Sequence, residues 1–173
     1  MEYFDFRAFG SKIILMEFLK KILPVINAEA HCDIPCGIYD PTPAKIAAMT
    51  VWRMVKQIKE LSAGGDHHQG SPEYLNMVTR RITVKEQHAQ MCKNELYILW
   101  SDFFKAEHLE KYPHLHDLFW KAAKLCSKNK QEIDEVAAQD LVKAVDEIAK
   151  IFYEVKRDPK RFESYKDVTD KLF

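Results

Sequence analysis

Apolar residues recur at helical spacing along most of the chain. Ile46, Met49, Val51, Trp52, Val55 and Ile58 form a stripe that predicts a helix from about Thr42 to Leu61. Thr42-Pro43 suits its start, with the hydroxyl as cap and proline at the first helical position. Ser62 to Gly70 reads as a loop, and Ser71-Pro72-Glu73 opens a second helix. Leu75, Val78, Ile82, Met91, Leu96, Leu99 and Trp100 carry that helix to about Phe104. Lys105 to Pro113 reads as a turn. A third helix is expected from His114 to Ser127, on Leu115, Leu118, Phe119, Ala122 and Leu125. A fourth is expected from Gln131 to Lys156, with Ile133, Val136, Leu141, Val145, Ile148, Ile151 and Phe152 facing inward. Asp158-Pro159 stops it, leaving residues 158–173 as a mobile tail or short helix. No strand alternation competes. The pattern predicts an all-α fold, an antiparallel up-down four-helix bundle preceded by an irregular N-terminal segment.

Residues 1–30 read as a leader. Its apolar stretch, Ile13 to Ile26, is broken by Glu17, Lys20 and Lys21, which makes a poor secretory core. Ala28-Glu29-Ala30 nevertheless resembles a small-residue cleavage site. A removable pro-segment is favoured over an export signal, with an ordinary uncleaved helix as the other alternative. The domain division is therefore leader 1–30, folded unit 31–157 and tail 158–173. The expected location is cytoplasmic, with export through the leader left open.

Charge narrows the partners. The 26 basic and 26 acidic residues cancel, and no basic block suggests nucleic acid. No run of about 18 apolar residues suggests a membrane span. Of the four cysteines, Cys92 and Cys126 lie within helical patterns and read as buried thiols. Cys32 and Cys36 lie in a segment punctuated by Pro35, Gly37, Pro41 and Pro43, beside His31.

That segment has chemistry of its own. A cut before His31 would create an α-amine one peptide unit from the Cys32 amide. Amine, amide and Cys32 thiolate can close adjacent five-membered chelate rings, and the Cys36 thiolate can complete a plane. Such an N2S2 set suits Ni(II) or Cu(II) better than tetrahedral zinc, with the His31 imidazole free to approach axially. Cys-x-x-x-Cys alone leaves a structural disulfide or a zinc half-site open.

His31-Cys32-Asp33-Ile34-Pro35-Cys36-Gly37-Ile38-Tyr39-Asp40-Pro41 resembles the nickel hook of the nickel superoxide dismutases almost residue for residue. The likeness continues through Val84-Lys85-Glu86-Gln87, residues 99–105 (LWSDFFK), residues 110–116 (EKYPHLH) and residues 148–154 (IAKIFYE). The resemblance implies a four-helix bundle assembled as a homohexamer, a leader removed by a maturation peptidase, and one nickel ion per subunit. It implies superoxide anion as substrate. It also implies His31, Cys32 and Cys36 as ligands, with Asp33 and Tyr39 shaping the hook and lining substrate access. Where a family member steadies the axial imidazole with a glutamate and an arginine, this chain has Ala47 and His88, and Phe103 replaces a tyrosine. His88 is the candidate substitute. Two rival classes are a metal carrier using the same hook, and a helical interaction protein whose Cys32 and Cys36 form a disulfide.

Overall fold

The computed structural model describes residues 37–63 and 70–173. The leader, His31 to Cys36 and most of the loop after the first helix, including His67-His68, lie outside the described residues. Four long helices form the bundle: α1 (Thr42–Ala63), α2 (Pro72–Ile98), α4 (Leu115–Gln131) and α5 (Glu135–Val155). A π-helical turn, Leu99–Phe103, ends α2, and a short α3 (Ala106–Lys111) leads into α4. A sixth helix, α6 (Pro159–Thr169), follows α5. Among the described residues there is no strand. Helix α1 packs on α2 and α5, and α4 packs on the same two, which closes the ring of an up-down bundle.

The caps explain the boundaries. Ser71 Oγ accepts from the Tyr74 amide at 3.2 Å, with Pro72 just inside the helix, as its sequence suggests. At α1 the cap differs from expectation. Thr42 is itself helical, and its amide donates to Asp40 Oδ1 at 2.8 Å. At α5, Asp134 takes the amides of Val136 and Ala137, so the helix starts four residues later than predicted. That start puts Ala137, Ala138, Leu141 and Val142 inward and leaves Ile133 and Val136 exposed. Ile46, Leu75 and Met91 are likewise exposed members of their predicted stripes.

The core is continuous. Leu96, Leu115, Phe119, Leu141, Ile148 and Phe152 are almost wholly buried, each worth about 1.5–3 kcal/mol of transfer free energy. Ala44, Ala47 and Ala48 give α1 a flat, buried face. Cys92 and Cys126 are buried free thiols in the same cluster, and a mutual hydrogen bond together with burial pushes the Cys92 thiol up.

One polar device inside the bundle was invisible in the pattern. Lys85 is 2 % exposed, and its ammonium donates to the carbonyls of Asn129, of Lys130 (3.2 Å) and of Glu132 (2.9 Å). These carbonyls terminate α4, so a lysine on α2 caps a helix it is not part of.

The tail is a packed helix. Asp158 caps α6 through the Arg161 amide, with Pro159 at its first turn. Arg157 turns the chain there at φ 58°, a left-handed conformation costing a non-glycine residue about 1–2 kcal/mol. The Asp158 amide closes that turn on the Tyr153 carbonyl at 2.9 Å. Tyr165 and Thr169 of α6 are buried.

Candidate metal centre and its approach

The expected ligands His31, Cys32 and Cys36, and with them Asp33, lie outside the described residues. Description starts at Gly37, directly after Cys36. Gly37 has φ +71°, a conformation that favours glycine, so the chain turns sharply as it leaves the second cysteine. Ile38 is 80 % exposed, and Tyr39 and Asp40 are half-buried before α1 begins. These residues form the root of the hook segment.

Three elements meet at that root. From the π turn comes Phe103, whose ring centroid lies 5.8 Å from that of Tyr39. The wider turn arises because the Phe104 amide bonds back to the Leu99 carbonyl at 3.1 Å. Such single wide turns re-aim side chains and are frequent at functional sites. Phe103 also packs on Phe152 at 4.3 Å and on Phe104 at 4.9 Å. From α5 comes Tyr153, whose hydroxyl lies 3.4 Å from Asp40 Oδ2. Burial is the main cause raising that hydroxyl's pKa, with the Asp40 charge adding to it. The Lys156 ammonium donates to the Gly37 carbonyl at 3.2 Å and sits over the rings of Phe103 and Phe152. From α6 comes Arg161, 3.3 Å from Asp40 Oδ2.

The root thus carries an exposed ammonium on the Gly37 carbonyl and a guanidinium beside the half-buried Asp40 carboxylate, on an aromatic floor. Such a rim provides local positive potential in a chain of zero net charge. Neither Lys156 nor Arg161 stands out in the sequence as a site residue. Their only signal was a basic run after the fourth helix, and nothing local ties that run to residues 37–40.

Ala47 and His88, which stand where a family member has the glutamate and arginine, are both described. Ala47 is 2 % exposed in the α1 face of the core. His88 is half-buried on α2, with Nδ1 2.9 Å from the Val84 carbonyl. A carbonyl only accepts, so Nδ1 carries a proton, and in the neutral ring Nε2 is then an acceptor. His116 accepts from Trp100 Nε1 at 2.7 Å, and His114 faces Glu147 at 3.7 Å, both structural partnerships. Among the described residues, no three His, Cys, Asp or Glu side chains cluster to hold a metal. None of the described helices is long and apolar enough to cross a membrane.

The donor types expected before Gly37, two thiols and a histidine, suit a nickel ion by their chemistry. Comparison with known proteins supports nickel as the metal. The family described as nickel-containing superoxide dismutase matches residues 26–156. The superoxide dismutase [Ni] of Streptomyces seoulensis is 40% identical over 134 residues, covering 78% of this chain and 94% of that protein. The corresponding protein of Streptomyces coelicolor is similar to the same extent. A native nickel superoxide dismutase structure superposes with a TM-score of 0.62 at 39% identity, covering 73% of this chain and 99% of the other. A structure whose nickel ligation corresponds to the oxidised state gives 0.62 at 38% identity, with the same coverage. The family match ends at Lys156, so α6 lies beyond it.

Proposed function

The chain belongs to the nickel-containing superoxide dismutases, and from that premise we propose how its own residues divide the work. The reaction consumes two superoxide anions and two protons and yields dioxygen and hydrogen peroxide. Nickel, when bound, supplies the one-electron redox change that both halves of this reaction need. His31 would hold it through its amine and imidazole, Cys32 through its amide and thiolate, and Cys36 through its thiolate. This requires removal of residues 1–30 by a maturation peptidase, since only a cut before His31 sets an amine beside the Cys32 amide.

Asp33 shapes the hook and Tyr39 lines the approach. Tyr39, backed by Phe103, narrows that approach to small anions. Lys156, beside the Gly37 carbonyl, draws superoxide toward the root. His88 steadies the His31 ring in place of the missing carboxylate, because its Nε2 can accept a hydrogen bond from an imidazole N–H. The assembly is a homohexamer in the cytoplasm, an antioxidant enzyme matured from a propeptide form.

The observation that carries this reading is the family match running through the hook cysteines and on to the end of α5. Intact mass, nickel content and superoxide consumption of the protein purified from its own cells test it. Mature protein starting at His31, with about one nickel per chain and turnover, is expected. Active, nickel-loaded protein that retains residues before His31 would overturn the ligand set.

A further inference from the structure

Helix α6 is bound to the bundle by a polar knot built on one buried lysine. Lys45 on α1 is wholly buried, and its ammonium lies 2.6 Å from Asp146 on α5 and 3.1 Å from Asp170 after α6. Lys166 of α6 reaches the same Asp146 at 2.8 Å, and the Tyr165 hydroxyl donates to it at 3.1 Å. Farther on, the Phe173 ring meets Trp52 of α1 edge-on at 5.0 Å. The segment after Lys156 is therefore a strap, running from the end of α5 across to α1.

The strap also touches the hook root. Asp40 is its fixed point: Oδ1 accepts from the Thr42 amide, while Oδ2 faces the Tyr153 hydroxyl and the Arg161 guanidinium. One carboxylate so joins the start of α1, the end of α5 and the start of α6. It stands four residues after Cys36. A donor on a free chain must be ordered each time metal binds, whereas a fixed root removes part of that cost.

We propose that α6 is a clasp that pre-orders the hook root, with Arg161 as its positioning residue acting through Asp40. The clasp rests on the reading that Cys36 is a nickel ligand. It sets how tightly the metal is retained, not the electron transfer. Arg161 is largely exposed, so its own share is that of a surface ion pair, and Asp170 governs how firmly the strap is seated.

Two measurements on protein expressed from the complete coding sequence, processed as the cell processes it, test this. In protein from nickel-free cells, hydrogen exchange of residues 37–45 should quicken about two- to fivefold in Arg161→Ala, recover in Arg161→Lys, and quicken again in Asp170→Asn, where Asp40 is untouched. In nickel-loaded protein, metal loss to a chelator should quicken by a similar factor in the same variants. Unchanged exchange at the root would overturn the clasp. Faster exchange with unchanged nickel loss would overturn its link to the metal. Absence of nickel from the unsubstituted protein would instead overturn the nickel reading, while the exchange data still judged the clasp.

Discussion

Tyr39 and Phe103 stand with ring centroids 5.8 Å apart and planes tilted by 58°. The pair joins the hook root to the π turn at the end of α2. Phe103 in turn rests on Phe152, which is 1 % exposed, so Tyr39 leans on a side chain continuous with the core. Phe103→Leu keeps apolar volume and loses the ring contacts. It should cost about 1 kcal/mol of stability and lower kcat/KM severalfold with nickel content unchanged. Denaturant unfolding and steady-state assays check the two halves. Full activity in Phe103→Leu would mean that Tyr39 needs no aromatic support.

The four cysteines should separate cleanly. Cys32→Ser and Cys36→Ser should each abolish nickel binding while circular dichroism retains the helices, because the described core contains neither. Cys92→Ser and Cys126→Ser should keep nickel and most activity. Each places a hydroxyl at a fully buried thiol position and should cost about 1–3 kcal/mol. Loss of metal in either helix variant would refute the ligand assignment.

Lys85 is a structural cation. Lys85→Met preserves much of its volume and strands the three carbonyls that the ammonium satisfies at the end of α4. Destabilisation of about 3 kcal/mol is expected, seen as a lower urea midpoint with an unchanged slope. A neutral result would show that water satisfies those carbonyls as well as the lysine does.

How much of this was legible depends on how local each cause is. Ser71-Pro72 and the Leu115, Leu118, Phe119 and Ala122 stripe placed α2 and α4, because caps and helical periodicity are properties of neighbouring residues. The cap of α5 was missed because Asp134 competes with Gln131 for the helix start, and the winner decides whether Ile133 and Val136 face inward. The Leu99–Phe103 turn shifts by one hydrogen-bond step, which leaves no mark on an apolar stripe. At the candidate site, residue types and spacing offered a metal site beside a disulfide or zinc half-site, while the full ligand set and the role of Tyr39 rest on the resemblance to the nickel hook. Lys156, Arg161 and Asp40 were not readable, since sequence separations of more than a hundred residues divide Asp40 from its partners. The same reason hid the packed tail: α6 is held by Lys45, far upstream.

The strap should loosen in acid. Burial alone pushes the Asp170 carboxyl up, but hydrogen bonds and charge from Lys166 and Lys45 outweigh it and hold the carboxyl below its ordinary value. A carboxyl depressed in the folded state adds stability above its unfolded pKa and loses it as pH falls through the folded one. The docking of α6 should therefore be full at neutral pH and weaken below about pH 4. Hydrogen exchange in residues 159–169, compared with residues 141–152, should show it. In Asp170→Asn the added acid sensitivity of α6 should shrink; an identical profile would assign the effect to other groups.

His31 and His88 provide the sharpest test of the proposed support of the His31 imidazole. His31→Ala leaves the amine, the Cys32 amide and both thiolates in place, so nickel should still bind. The axial nitrogen matters chiefly to the oxidised metal, so most turnover should be lost, and with it the paramagnetic signal of oxidised nickel. In the proposed arrangement His88 would bear on the same ring. Its Nδ1–H is committed to the Val84 carbonyl, so only Nε2 can meet another group, as an acceptor when the ring is neutral. His88→Ala should leave nickel content unchanged, reduce kcat severalfold and alter the paramagnetic signal. His88→Gln can present a carbonyl oxygen as acceptor and should restore part of both, which a purely structural loss would not. Ala47 has no polar group to take over this role, so the family's glutamate is not replaced from its own position. An unchanged rate and signal in His88→Ala would make His88 an ordinary helix residue, and the support of the imidazole would have to come from another group.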